Sequence, residues 1–378
     1  MRFAEKLVFL FVLIPMASAT AAERTNVCDR TEQVRYAIEI KVAADCGSIG
    51  PDDLSKIHNL SLSYKAIRSL KSGDFEGLSA LQDLALGGNL LESLPEDVFR
   101  ELTSLQILRL NDNLLSNLPE GVFRGLSSLH AVILDGNQLA SLSENIFHGL
   151  SSLQTLGLNR NRLASLPKGL FQGLSSLTFL ELQENSLSTV PEGLFQGLKS
   201  LQNLNLYNNL LAFLPEGALS HLQSLKKLII YGNRLTTLPE GVFEGSSSLE
   251  DILMFGNRLS SLPAGVFRTL KSLAWLEMSG NQLTSLPEGI FQDQKSLHSI
   301  GLNSNLLSHL PIGVFQGNQS LQEIYLNDNR FEQLSQEVFL GDSLAQLSFI
   351  DLRDNPLRLQ NRKDLKSALG TRVWLDLL

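Results

Sequence analysis

The sequence predicts an α/β solenoid of about thirteen stacked coils with a cap at either end. Three observations carry that reading. The pattern LxxLxLxxNxLxxLPxGxFxGLxS recurs with a period of 24 from Ile57, through Leu81, Leu105 and Leu129, to a shortened copy at Leu347. Self-similarity at this spacing marks a repeat whose units cannot bury their apolar faces alone and must stack. Within each unit the apolar residues at places four and six alternate with variable ones, the period of a strand with one buried face. Asparagine at place nine and phenylalanine at place nineteen recur so often that each must satisfy the same physical need in every coil.

Residues 1–22 read as an export signal. Arg2 and Lys6 lead into the apolar run Leu7–Met16, and small residues follow, allowing cleavage after Ala19, Ala21 or Ala22. The run is about half of the ~20 residues a membrane-spanning helix needs, and no later run is long enough. The expected address is therefore secreted, with the periplasm as the alternative. Basic residues number 31 against 39 acidic ones, a net charge of -8 that becomes -9 once Arg2, Glu5 and Lys6 are removed. No basic run or stripe is present, which excludes a phosphate-backbone binder.

Residues 23–56 form the N-terminal cap. Val27–Cys46 reads as an amphipathic helix, with Asp29 and Glu32 spaced as a capping box. Cys28 and Cys46 are the only cysteines. In an oxidising compartment they can pair and close a loop worth roughly 3 kcal/mol; two buried free thiols are the alternative.

Residues 57–357 are the repeats. Asparagine occupies place nine in twelve of the thirteen units, from Asn89 to Asn355, with Lys65 in its stead in the first. An amide offers both donor and acceptor to a turn whose backbone groups are cut off from water, so stacked asparagines make a ladder. Phenylalanine occupies place nineteen eleven times, including Phe99, Phe123, Phe147, Phe243 and Phe339. Rings at one depth make a spine beneath the outer wall. Proline at place fifteen, as at Pro239 and Pro263, denies that wall a regular ladder.

With thirteen phased copies over Ile57–Leu357, the chain resembles leucine-rich repeat proteins of the 24-residue kind found in Toll-like receptor ectodomains, Slit proteins and variable lymphocyte receptors. The resemblance implies a curved horseshoe with a parallel sheet on its concave face. Animal members usually carry four cysteines in the N-terminal cap and more in the C-terminal one, whereas this cap, with its second cysteine 18 residues after the first, is similar to that of exported bacterial members. Residues 358–378 form the C-terminal cap, read as a short helix ending near Gly370 with Val373, Trp374 and Leu375 covering the core.

Places three, five and seven face away from the buried leucines and write the concave surface. In the early units they are mostly small or polar; in the middle they are not. Tyr207, Tyr231 and Phe255 occupy place seven of three successive units, with Ile229 and Leu253 at place five beside them. Phe179 and Trp275 flank this patch, and Glu181, Lys227, Asp251 and Glu277 rim it. Aromatic anchors inside a polar rim are the anatomy of a protein interface, so the expected function is non-enzymatic capture of another protein, host or cell-surface proteins included. A glycan or cell-wall fragment on the same rings is the second reading, and a self-associating envelope protein the third. A monomer is expected.

The remaining signals are weaker. Place twenty-two changes from leucine to Ser246, Gln294 and Asn318, which predicts a looser convex side. Glu96, Glu120, Glu192, Glu216, Glu240 and Glu288 form a row at place sixteen, read as a solvated ridge, with calcium or a basic partner as the outsider. No catalytic motif of the hydrolase, zinc-protease, P-loop or dinucleotide type occurs, and the six histidines are scattered. No cofactor or metal is expected.

Overall fold

The structure is a computed structural model that describes residues 26–340, 344–371 and 373–377; the export signal expected over residues 1–22 lies outside them. Three-residue strands follow one another at the repeat interval: β1 (Asn59–Ser61), β2 (Asp83–Ala85), β3 (Ile107–Arg109), β4 (Ala131–Ile133), β5 (Thr155–Gly157), β6 (Phe179–Glu181) and β7 (Asn203–Asn205). They continue as β8 (Lys227–Ile229), β9 (Asp251–Leu253), β10 (Trp275–Glu277), β11 (Ser299–Gly301), β12 (Glu323–Tyr325), β13 (Phe349–Asp351) and β14 (Trp374–Asp376). All pair in parallel in sequence order, giving one 14-stranded sheet. Each residue pairs with the one a repeat later, as Leu228 with Ile252, so a surface place becomes a straight row across the sheet.

The centre residue of the repeat strands is buried, and the leucines of neighbouring coils merge into one continuous core. Burial of apolar side chains, each worth ~1.5–3 kcal/mol, drives this stacking. The asparagine ladder is present. Asn233 donates to the carbonyls of Ile230 in its own coil (3.1 Å) and Leu206 in the previous one (3.0 Å), and accepts from the Leu211 amide (3.1 Å). The same triad of bonds recurs at Asn113, Asn137, Asn161 and onward, so each amide welds a buried turn to its neighbour.

Phenylalanines stack beneath the outer wall with centroids 5.8 Å apart at Phe75–Phe99 and 6.4 Å at Phe315–Phe339. Leu219 takes the place between Phe195 and Phe243 and breaks the row of rings.

The convex side is not loosened where place twenty-two turns polar. Ser246, Gln294 and Asn318 are fully buried and donate to carbonyls of the preceding coil: Leu219 at 2.9 Å, Phe267 at 2.6 Å and Phe291 at 2.7 Å. The preceding coil's backbone comes close to the neighbouring glycine at Ser246 and Asn318. A methyl on Gly245, next to Ser246, would lie 2.2 Å from the Ser220 carbonyl oxygen, and one on Gly317, next to Asn318, would lie 3.0 Å from that of Gln292. Where leucine follows, as at Gly125 and Gly173, such a methyl meets nothing within 4 Å. The polar side chains replace an apolar contact with a hydrogen bond to the preceding coil.

In the N-terminal cap, helix α1 spans Glu32–Val42 and buries Val34 and Ile38 over the first coil, while the short helix α2 (Pro51–Leu54) buries Leu54. The capping box expected at Asp29 and Glu32 does not form: Asp29 belongs to a 3-10 turn, Val27–Asp29, and the N-cap is Thr31. Thr31 gives its amide (2.7 Å) and hydroxyl (2.6 Å) to the buried Asp74 carboxylate of the first coil, and Arg30 donates to the Asp74 and Glu76 carbonyls. Burial lowers the Arg30 pKa, opposed by the Asp74 charge. Cys28 and Cys46 are disulfide-bonded.

At the other end α3 (Leu359–Leu369) terminates at Gly370 as expected. Val373 is buried, but Trp374 is 74% exposed. It leads β14, whose register aligns it with Phe349, so it stands on the concave row instead of covering the core.

Candidate functional site

The concave face is a grid of three rows. At place seven, Tyr207, Tyr231 and Phe255 stack nearly parallel: centroids are 4.6 Å apart with planes 5° apart for the first pair, and 4.2 Å with 10° for the second. The ~4.8 Å strand spacing sets this distance, because identical places on adjacent strands point the same way. The rings are half-buried, and each spends a face on its neighbour, leaving edges toward solvent. The Tyr207 hydroxyl donates to Glu184 Oε1 at 3.0 Å. Burial and that bond push the Tyr207 pKa up to about 12, so it remains a neutral donor across the physiological range.

Ile229 and Leu253 at place five are register partners beside the stack, both half-buried. At place three Lys227 and Asp251, also partners, form an ion pair at 3.1 Å. Phe179 stands two strands before that pair and Trp275 one strand after it; at 46% and 52% exposed, they are the most open rings of the patch. Glu181 and Glu277 stand at the two ends of the five-strand stretch of the place-five row that holds this apolar pair. All the residues singled out from the sequence thus lie on one face, across β6–β10 and the turns after β7, β8 and β9.

Three features of this face do not come from the repeat pattern. The first is an acidic end. Asp135 accepts the Asn159 amide at 3.1 Å and leans over Gly157, where a methyl would come within 2.5 Å of its carboxylate. Glu181 accepts from the Asn159 side chain at 3.3 Å. Burial, then the neighbouring Glu181 charge, pushes the Asp135 pKa up to about 6. The second is charge accounting: Arg109, Arg160, Lys227 and Arg353 are each held by an aspartate, at Asp83, Asp112, Asp251 and Asp351. Among the described residues Asp135, Glu181, Glu184 and Glu277 are in no ion pair, so the face is net acidic. The third is a second aromatic group, Tyr325 against Phe349 at 5.4 Å with the exposed Trp374 next in the row. Its signal in the sequence is the large apolar residue at place three of the last coil, followed by another in the C-terminal cap.

On the convex side, the place-sixteen glutamates are exposed, and Glu96 lines a groove with Arg100 and Arg124. No group of three or more His, Cys, Asp or Glu side chains able to hold a metal occurs among the described residues. No helix among them is long and apolar enough to cross a membrane.

The leucine-rich repeat family profile matches residues 55–115, 103–163, 151–211, 200–259, 256–307 and 295–357. Comparison with curated protein sequences finds no match. Among solved structures, the fold is similar to an internalin from Listeria monocytogenes (20% identity, TM-score 0.70, covering 92% of this chain and 94% of that one). It is also similar to a leucine-rich repeat protein of Leptospira interrogans (26%, 0.58, covering 86% and 97%). Toll from Drosophila, solved in complex with Spätzle, aligns at 26% identity and TM-score 0.73, covering 82% of this chain and 42% of that one. With matches spanning 55–357 and a strand added to one parallel sheet at every repeat, the chain belongs to the leucine-rich repeat family.

Proposed function

We propose that this chain is an exported, non-enzymatic binding protein that captures a partner protein on its concave face, centred on Tyr207, Tyr231 and Phe255. The observation that carries this reading is the ring stack itself: three aromatic side chains held rigid on an outward row, bordered by Ile229 and Leu253 and rimmed by charge. Pre-stacked rings lose little conformational entropy on contact, so their burial counts more fully toward affinity. Large apolar clusters on an exposed face are uncommon without a partner.

Export is supported by the leader-like sequence at the N-terminus and by the Cys28–Cys46 bond, which fits an oxidising compartment. Leucine-rich repeat folds commonly mediate protein–protein interaction, and the Toll structure is that of a complex with a protein, Spätzle. Stacking turns ring faces away from an incoming sugar, which favours a protein over a glycan. The acidic face disfavours a phosphate backbone.

The test is the double substitution Tyr231→Ser with Phe255→Ser, challenged beside the wild type with surface-extracted proteins and a glycan panel. Neither ring lies in the core, so circular dichroism should be unchanged. Loss of two anchors worth about 2 kcal/mol each should weaken protein capture by about a thousandfold. Undiminished capture by the double variant, or wild-type binding to glycans alone, overturns the reading.

A further inference from the structure

The place-five row has a composition no other row shares. Glu181, Asn205, Ile229, Leu253 and Glu277 are successive register partners from β6 to β10, so they form a straight line across five strands. The line reads acid, amide, apolar, apolar, acid. On one side runs the ring stack, on the other the closed Lys227–Asp251 pair. Every cation on the three concave rows is already ion-paired, so neither terminal glutamate has a cationic partner within the described residues. Near Glu181 the shortage of donors deepens: Asn205 Oδ1, on its register partner, and Gln183 Oε1, two residues on, are buried acceptors with no hydrogen bond.

We propose that this line receives an extended, basic segment of a partner protein, with two cationic side chains bracketing two apolar ones. This rests on the concave face being the recognition surface and adds the chemistry of what it recognises. Four strand steps of ~4.8 Å separate the glutamate backbones by about 19 Å, and both carboxylates turn outward from there, Glu181 toward Asn159 on the β5 side and Glu277 over Gly301 of β11. An extended chain rises ~3.3 Å per residue and shows alternate side chains to one side, so positions 1 and 7 are ~20 Å apart with 3 and 5 between them on the same face. Long cationic side chains at 1 and 7 then reach outward past the ends of the segment to the Glu181 and Glu277 carboxylates, while apolar residues at 3 and 5 lie over the middle of the line, where Ile229 and Leu253 stand. Charge-assisted bonds to partly desolvated carboxylates fix register, and the apolar pair supplies contact area.

The probe is a fluorescently labelled heptapeptide, Arg-Ala-Leu-Ala-Leu-Ala-Arg with blocked ends, measured by anisotropy. It is compared with a peptide carrying glutamate at both ends and with one in which the second arginine is moved to position 4. The arginine peptide should bind the wild type at least about tenfold more tightly than either control, and the paired substitutions Glu181→Gln and Glu277→Gln should erase that preference. The Tyr231→Ser, Phe255→Ser protein separates the two readings. If that variant loses affinity for all three peptides while the wild type binds them equally, the stack stands and the charged line falls. Absence of measurable binding of the arginine peptide to folded wild type also overturns the line.

Discussion

Replacing Asp135 by asparagine should make the protein more stable at neutral pH, although it deletes a charge from a surface row. The folded Asp135 carboxyl sits at about 6 instead of the ordinary 3.8, because burial and then Glu181 disfavour its anion. The folded state therefore holds the proton more tightly than the unfolded chain, and stability falls as pH rises from about 4 to about 6. Two pH units correspond to roughly 3 kcal/mol at most, and partial solvent screening reduces this to roughly 1–2 kcal/mol. Asparagine keeps an oxygen for the Asn159 amide and carries no charge. Urea unfolding of both proteins at pH 4, 5, 6 and 7, followed by circular dichroism, isolates the effect of Asp135 and its coupling to Glu181, because titrating groups not coupled to Asp135 cancel in the difference. The variant should match the wild type near pH 4 and exceed it by that amount at pH 7. A difference that stays constant with pH, or a variant less stable at pH 7, refutes the account of this acidic end.

Further outcomes follow from the coil architecture. Asn233→Ala strands the Leu211 amide and removes donors from two buried carbonyls, and should cost roughly 3–5 kcal/mol in urea unfolding. Gly245→Ala must push a methyl against the Ser220 carbonyl at a positive φ, whereas Gly125→Ala meets only the backbone penalty of about 1–2 kcal/mol; thermal melts should show the first far more damaging than the second. Reducing the Cys28–Cys46 bond should cost about 3 kcal/mol, with hydrogen exchange rising in α1 before the central coils.

The repeat pattern exposes whatever is solved identically in every coil. Asn233 and its counterparts face the same unpaired groups each time, so a single-residue rule foretells the whole ladder, and the same holds for the ring spine. Departures from the rule are harder to read. Gln294 and Asn318 look like lost apolar anchors until the carbonyls of the previous coil are seen within reach of their amides. The start of α1 escapes a local reading because the group that completes it, Asp74, lies 43 residues beyond Thr31 and outside any capping signature. Trp374 reads as core by its apolarity, yet the strand it begins has a free concave side. The candidate site is legible as a patch, since row position follows from periodicity. The half-burial of its rings, the charge coupling of Asp135 to Glu181 and the pairing of the cations depend on side-chain directions that periodicity does not determine.

The ring spine also governs shape. Where successive rings stack, their centroids are 5.8–6.4 Å apart, while the strands they back are ~4.8 Å apart, so those coils are wedges roughly 1–1.6 Å thicker outside than inside. Repeated along the stack, that small taper bends the molecule as tapered stones bend an arch. The width of the opening offered to a visitor is thus written in side chains the visitor never touches, and thinning one of them would alter the fit of the inner face with its own residues unchanged.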